Sequence, residues 1–337
     1  MTPLVVLDAD VLGRERTGDE THVENLLRRL PAAADGAFRF AAVTRHPELV
    51  PEGVEPHQLP ARSQELRMAW TLPRLLREVR PALAHFQYAL PLACPCPAVV
   101  TVHDLSFERD PDLMSRRDRA IFRIVVPRAV RRARIVFAVS ERTRRDLIDL
   151  YRTPAEKIVV TPNAVDSAFT PDGEPDRYLL FVGAVQRRKN PLAAANAARD
   201  VGLPLVVVGP EKEPELAREL ERRGADLRGY VEKAELATLY RRALCVVLPS
   251  RFEGFGLPVL EAMACGTPVV AADEPALREV GGDAAIYADD AGLADAVRRT
   301  LADREAWSRA GIERARLFSW DETARRVLDG YRRALAA

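Results

Sequence analysis

The stretch "CVVLPSRFEGFGLPVLEAMACGTPVVAA" covers residues 245–272 and reads as strand, turn, helix and strand. "CVVLPS" (245–250) and "TPVVAA" (267–272) hold short runs that are apolar throughout. Such runs suit strands covered on both faces, as in a parallel sheet. Pro258 fits the start of the helix, and Gly266 with Pro268 beyond it fits the end. In open α/β sheets ligands bind beyond the carboxyl ends of the strands, so the turn between strand and helix is where chemistry is expected.

The same alternation extends outward from this unit in both directions. "YLLFVG" (178–183), "PLVVVG" (204–209), "RGYV" (228–231) and "AAIYA" (284–288) read as further strands, with helical apolar spacing between them. A turn-rich passage, "TPNAVDSAFTPDGEPDR" (161–177), reads as an interdomain linker. Before it, "LVVLD" (4–8), "FRFAAV" (38–43), "ALAHF" (82–86), "AVVTV" (98–102), "IVFAV" (135–139) and "KIVVT" (157–161) repeat the pattern. The expected fold class is α/β, with two Rossmann-like, doubly wound parallel-sheet domains over 1–170 and 171–317. The tail over 318–337 reads as an amphipathic helix with Asp321 at its N-cap.

Composition narrows the function. The 337 residues carry a net charge of +1, with 47% hydrophobic and 29% charged residues, which suits a globular protein and gives no global basic field for nucleic acid. "MTPLVVLDAD" lacks a basic, apolar leader, and no apolar run approaches membrane-spanning length. Cys94, Cys96, Cys245 and Cys265 offer no C-x-x-C pair and no zinc spacing with the five histidines. A cytoplasmic protein with reduced thiols is expected. No strand leads into G-x-G-x-x-G, which disfavours a dinucleotide dehydrogenase.

The turn in 245–272 has its own logic. Gly254 and Gly256 let backbone approach a ligand, and helix-start N–H groups from Phe255 to Leu257 can face an anion. Glu253 stands before the turn and Glu261 in the expected first helical turn. Carboxylates only accept hydrogen bonds, so two of them around an anion cradle suit hydroxyls on either side of a phosphate. A sugar, a diphosphate and a ribose in a row meet that description.

"PSRFEGFGLPVLEAMACGTPVV" resembles the E-x7-E signature of the retaining glycosyltransferases of family 4, which have the GT-B fold. "FVGAVQRRKN" (181–190), "LVVVG", "GYV" and "ALREVGGDAA" are similar to the segments that accompany it, as are "VHDLSFERDP" (102–111), "AVSERTRRDL" (138–147) and "TPNAVD" (161–166) upstream. The resemblance covers essentially the whole chain. It implies two Rossmann-like domains facing a central cleft, the first binding the acceptor and the second the donor, with the C-terminal helix crossing back to the first.

Residue roles follow from the resemblance. Glu261 would hold the ribose hydroxyls, and Glu253 would contact the transferred sugar. The backbone of Phe255, Gly256 and Leu257, together with Gly183, would lie against sugar or diphosphate. Lys189 and Arg188 would neutralise the departing nucleoside diphosphate; Gln186, Arg187 and Ala184 depart from the family pattern in that loop. His103 would face the donor sugar, with Asp104 orienting its ring. Gly18 would approach the donor phosphate, and Asp19, Glu20 and His22 are candidate acceptor contacts.

The implied activity is a retaining hexosyltransferase with no permanently bound cofactor and no metal. Its donor would be GDP-mannose first, with UDP-glucose or another UDP-sugar close behind. Its acceptor would be a glycan, a lipid-linked sugar or a small molecule. The arginine-rich stretch from Arg116 through Arg134 reads first as a solvated helix face docked through its apolar side, and second as a weak peripheral contact with the inner face of the membrane. Two other functions share the architecture: a non-catalytic nucleotide-sugar-binding scaffold, and a GT-B nucleotide-sugar epimerase.

Overall fold

A computed structural model describes residues 2–14, 17–59, 63–109 and 116–336. The chain divides into two units, one formed by Met1–Asn163 with Trp320–Ala337 and the other by Ala164–Ser319. The divisions fall at 163/164 and 319/320 rather than at 170/171 and 317/318.

The first unit is built on β1 (Leu4–Asp8), β2 (Arg39–Thr44), β3 (Val54–Gln58), β4 (Leu83–Gln87), β5 (Ala98–Val102), β6 (Ile135–Ala138) and β7 (Ile158–Val160). They pair in the order β3-β2-β1-β4-β5-β6-β7, all parallel. β3 has no counterpart in the sequence reading, because "VEPHQ" contains a proline and exposes most of its side chains. A proline is tolerated there because β3 is an edge strand.

The second unit is built on β8 (Leu179–Val182), β9 (Leu205–Val208), β10 (Asp226–Leu227), β11 (Cys245–Leu248), β12 (Val269–Ala272) and β13 (Ile286–Ala288). Their order is β10-β9-β8-β11-β12-β13, again parallel. The strand expected over 228–231 is displaced to β10. After Arg228 donates its N–H to Val207 O at 2.9 Å, the chain leaves the sheet and Gly229 O accepts from Gly209 N at 2.8 Å. Val246, Val247, Leu179 and Leu180 are fully buried, as strands covered on both faces require.

The turn-rich passage is not a loose tether beyond Ala164. Phe169 is buried with its ring 5.8 Å from that of Tyr240, and Asp166 pairs with Lys233 at 2.7 Å. All four residues belong to the second unit.

The terminal helix runs Trp320–Ala336, so Asp321 lies inside its first turn instead of capping it. It packs along the helix Thr17–Ala34, where Val23, Leu26, Leu27 and Leu30 meet Ala324, Val327, Leu328 and Tyr331 in one buried cluster. Tyr331 OH and His85 Nδ1 lie 2.7 Å apart inside this cluster, and burial holds the His85 imidazole down to about 3. That ring is therefore neutral and structural. The arginine-rich helix Arg116–Arg132 buries Val126, Ala129 and Val130 but leaves Ile124 69% exposed and Ile121 39% exposed. Its first half docks through Phe122, whose ring lies 5.3 Å from that of Phe107, while the fully buried residues all fall in its second half.

Candidate active site

In each sheet the strand order reverses once, at β1/β4 in the first and at β8/β11 in the second. Loops leaving two adjacent strands in opposite directions open a crevice at that point. In the second unit those loops carry Arg187–Lys189, as a single 3-10 turn, and Glu253. They are tied together by Arg251 N donating to Arg188 O at 2.9 Å.

Lys189 Nζ donates to both carboxylate oxygens of Glu253, at 2.5 and 2.6 Å. Arg188 Nη1 donates to Phe252 O at 2.6 Å and stands 3.7 Å from Glu253 Oε2. Burial opposes ionisation of Glu253, yet the charges of Lys189 and Arg188 and the Lys189 hydrogen bond outweigh it. The carboxyl is held below the usual range. Glu253 is thus a buried anion between two cations and not a surface acid. Arg187 turns the other way, pairing with Glu213 at 3.2 Å on the exposed side. It lines a cavity of about 380 Å³ with Asn190, Glu213 and Arg251 that includes neither Lys189, Glu253 nor Glu261. Of the two arginines, Arg188 is the one aimed at Glu253.

Close backbone contact shapes the rest of the crevice. A Cβ on Gly209 would stand 2.3 Å from Gly183 O, so the loops after β8 and β9 touch main chain to main chain. Gly256 adopts φ +110 ahead of the helix Leu257–Ala264, and a Cβ there would meet Leu277 Cδ2 at 3.0 Å. Glycine is needed at Gly256 for both reasons. The side chains of Phe255 and Leu257 are buried, the Phe255 ring lying 5.9 Å from that of Phe318. What this turn offers a ligand is its backbone. Pro258 is the second helical residue, and Glu261 lies beyond the first turn, so the macrodipole does not explain it.

Glu261 has different neighbours. Tyr240 donates its hydroxyl to Glu261 Oε2 at 2.8 Å. Burial pushes the Glu261 carboxyl up to about 7; the Tyr240 hydrogen bond and the charge of Lys233 pull it back, and Asp166 adds to the rise. The two glutamates of the motif therefore sit in opposite electrostatic settings, one clamped as an anion and one balanced near neutrality. The sequence gives no sign of Tyr240, Lys233 or Asp166 here, because they come from the helix Lys233–Arg242 and from the passage read as a linker.

In the first unit, His103 follows β5 directly and is buried. Its Nε2 lies 2.8 Å from Gln87 Oε1 at the end of β4, which fixes the tautomer with Nε2–H donating. Burial lowers its pKa, with the charges of Asp19 and Asp104 partly offsetting that. Asp104 does not orient the ring: Ser106 N and Oγ donate to its carboxylate at 3.0 and 2.8 Å. His22 is fully buried, its Nδ1 2.7 Å from Asn163 Oδ1 and its ring 5.0 Å edge-on from His103. That corrects its reading as an acceptor contact; it packs behind His103. Glu20 accepts from Gly13 N at 2.6 Å. Gly18 lies in the first turn of Thr17–Ala34, with open space where a Cβ would be. Among the described residues no cluster of three or more His, Cys, Asp or Glu could hold a metal ion.

Comparison with known proteins follows the same division. The family described as "Glycosyltransferase Family 4" matches residues 16–169, and "Glycosyl transferases group 1" matches residues 176–303. O-antigen chain mannosyltransferase B of Escherichia coli is 30% identical over 267 residues, covering 70% of each chain. D-inositol 3-phosphate glycosyltransferase of Kineococcus radiotolerans is 35% identical over 246 residues, 59% of this chain and 57% of that relative. Sucrose-phosphate synthase of Thermosynechococcus elongatus shares the fold with a TM-score of 0.79 at 20% identity, over the full length of both chains. HepE of Anabaena, solved with UDP and glucose, aligns with a TM-score of 0.72 at 15% identity over 98% of this chain and all of that one. Two Rossmann-like parallel sheets, each with its switch point, and a match in each unit lead to one conclusion: the chain belongs to family 4 of the glycosyltransferases, with the GT-B architecture.

Proposed function

We propose that this protein transfers a hexose, with retention of anomeric configuration, from a nucleoside diphosphate sugar to an acceptor hydroxyl. The observation that carries the reading is the buried Lys189–Glu253 pair with Arg188 beside it, at the β8/β11 switch point. Such a site can act on both charges of the transition state. As the bond from the sugar's anomeric carbon to the diphosphate stretches, Lys189 and Arg188 balance the negative charge on the leaving group. Glu253 accepts from sugar hydroxyls and offsets positive charge on the ring. The departing phosphate oxygen takes the acceptor's proton. Glu261 accepts from the ribose hydroxyls, and His103, held by Gln87, contacts the transferred sugar. We put mannose first among hexoses on the strength of the named mannosyltransferase relative, and the acceptor is a glycan, a lipid-linked sugar or a small molecule.

The ribose role makes a measurable demand. A diol donates two hydrogen bonds, so it favours the ionised carboxylate of Glu261, whose pKa stands near 7 without ligand. Binding of GDP or UDP at pH 7 is therefore expected to release about half a proton. Calorimetry in two buffers of different ionisation enthalpy reads that release directly. Glu261→Gln should abolish it and weaken the nucleotide roughly ten- to a hundredfold. A panel of GDP- and UDP-sugars, with EDTA and then magnesium, identifies the donor. Binding without turnover favours the scaffold, and strict dependence on metal overturns the assignment of charge balance to Lys189 and Arg188.

We further propose that the first unit rests on anionic lipid at the inner face of a membrane. No helix among the described residues is long and apolar enough to cross one. Trp70 and Ile124 are each about 70% exposed, and Leu66 and Leu92 are more than half exposed. Leu92 links the two elements that carry them, its N–H donating to Met68 O at 3.1 Å and its carbonyl accepting from Arg128 Nη2 at 3.1 Å. Arg116, Arg117, Arg131 and Arg132 are exposed along the same helix. Apolar side chains bordered by arginine suit an anionic bilayer surface. The wild-type protein is expected to sediment with phosphatidylglycerol vesicles and not with pure phosphatidylcholine. Trp70→Ala with Ile124→Ala should reduce that binding at least about tenfold, given the apolar area removed. Unchanged sedimentation of the double variant rejects this surface.

A further inference from the structure

The segment "CPCP" (94–97) lies between β4 and β5 and takes no part in the site above. Cys94 precedes Pro95 and Cys96 precedes Pro97. A residue before proline is forced into extended backbone, and proline fixes its own φ. The chain bends at Cys96, between the two prolines, and the two side chains turn toward each other. The two thiols are thereby held together, with Sγ atoms 3.9 Å apart, and both are free. Both side chains are partly exposed at the edge of the cluster formed by Val6, Ala84, Phe86 and Ala98.

We infer that Cys94 and Cys96 form a reversible thiol-oxidation site whose oxidant is a hydroperoxide. Cys94 thiolate attacks one oxygen of hydrogen peroxide, breaking the O–O bond to give a sulfenic acid and hydroxide, which takes up the proton the thiol had released and leaves as water. Cys96 then attacks that sulfur, its proton leaving with the hydroxyl as a second water, and the S–S bond closes. Two thiols and one hydrogen peroxide thus give one disulfide and two waters, and a dithiol reductant reverses the step. The sulfurs have to close from 3.9 Å to about 2.0 Å for the bond to form.

The chemistry is selective within the chain. The Cys96 thiol bonded to the Cys94 sulfur draws the Cys94 thiol down to about 7 against the effect of burial, and Arg132 adds its charge. The Cys96 thiol is correspondingly pushed up, which suits the resolving partner. Burial pushes the thiols of Cys245 and Cys265 up to about 12. Low-pKa accessible thiols are the ones peroxide oxidises.

The test uses the full chain, a modest excess of hydrogen peroxide, then denaturation, maleimide labelling and intact mass. The expected product has lost two hydrogens and two of its four labelling sites, both in the 94–97 peptide, and recovers them with dithiothreitol. Cys96→Ser should stop at a sulfenic acid trapped by dimedone, and Cys94→Ser should react roughly tenfold more slowly. Four thiols surviving, a gain of two oxygens on Cys94 in the wild type, or disulfide-linked dimers would each overturn the inference.

Discussion

Glu253→Gln is expected to lower kcat at least about a hundredfold while GDP or UDP binds as tightly as before, or more tightly. The opposite directions follow from the charges at the switch point. The Glu253 carboxylate occupies Lys189 through two short hydrogen bonds and attracts Arg188. An amide there keeps the shape and releases both cations toward a diphosphate, so ground-state affinity holds or rises. On the proposed mechanism, what is lost is the negative charge opposite a ring that becomes positive only as the donor bond breaks. An interaction made mainly in the transition state appears in kcat and spares binding. Titration calorimetry with the diphosphate and initial rates with the preferred donor separate the two. A parallel fall in affinity and kcat would mean that Glu253 serves only to assemble the site.

Lys189→Met is expected to cost about 3 kcal/mol of stability at pH 8, the effect of leaving a buried carboxylate with one partner removed. Both side chains are little exposed, at 13% and 10%. In the wild type, Glu253 is held below the usual value of 4.5. Its pairing therefore stabilises the fold above the unfolded carboxyl pKa, and that contribution is lost as pH falls through the folded one. In the variant the strongest influence left on Glu253 is burial, which raises its pKa. The native state then gains as the carboxyl protonates on acidification. The gap between wild type and variant should narrow from pH 8 to pH 5 in urea denaturation. Adding Glu253→Gln to the variant should recover part of the loss at pH 8, as a double-mutant cycle for a direct pair requires. A pH-independent gap, or no recovery, would place the loss in packing of the lysine stem.

Much of this architecture is written locally. The short apolar runs identified most of the strands, because burial on both faces leaves a continuous hydrophobic mark that does not depend on partners. β3 escaped because an edge strand needs neither continuous apolarity nor every N–H, so Pro56 could sit within it. The expected strand at 228–231 failed because the loop after β9 decides where pairing stops, Gly209 N donating to Gly229 O once the chain has left the sheet.

The same split runs through the site. By itself the sequence determined the two-domain α/β class, the family, and which loops follow which strands, since glycine turns, helix stops and the spacing of Glu253 and Glu261 are local chemistry. Only the tertiary structure decided what those carboxylates are. Strand order brings the loop after β8 to the loop after β11, and with it Lys189 and Arg188 to Glu253. The helix Lys233–Arg242 and the passage around Asp166 surround Glu261 instead. His103 likewise takes its partner Gln87 from the neighbouring strand, in place of the adjacent Asp104. Charge state depends on burial and on partners within a few ångströms, and those distances exist only once the sheet is assembled.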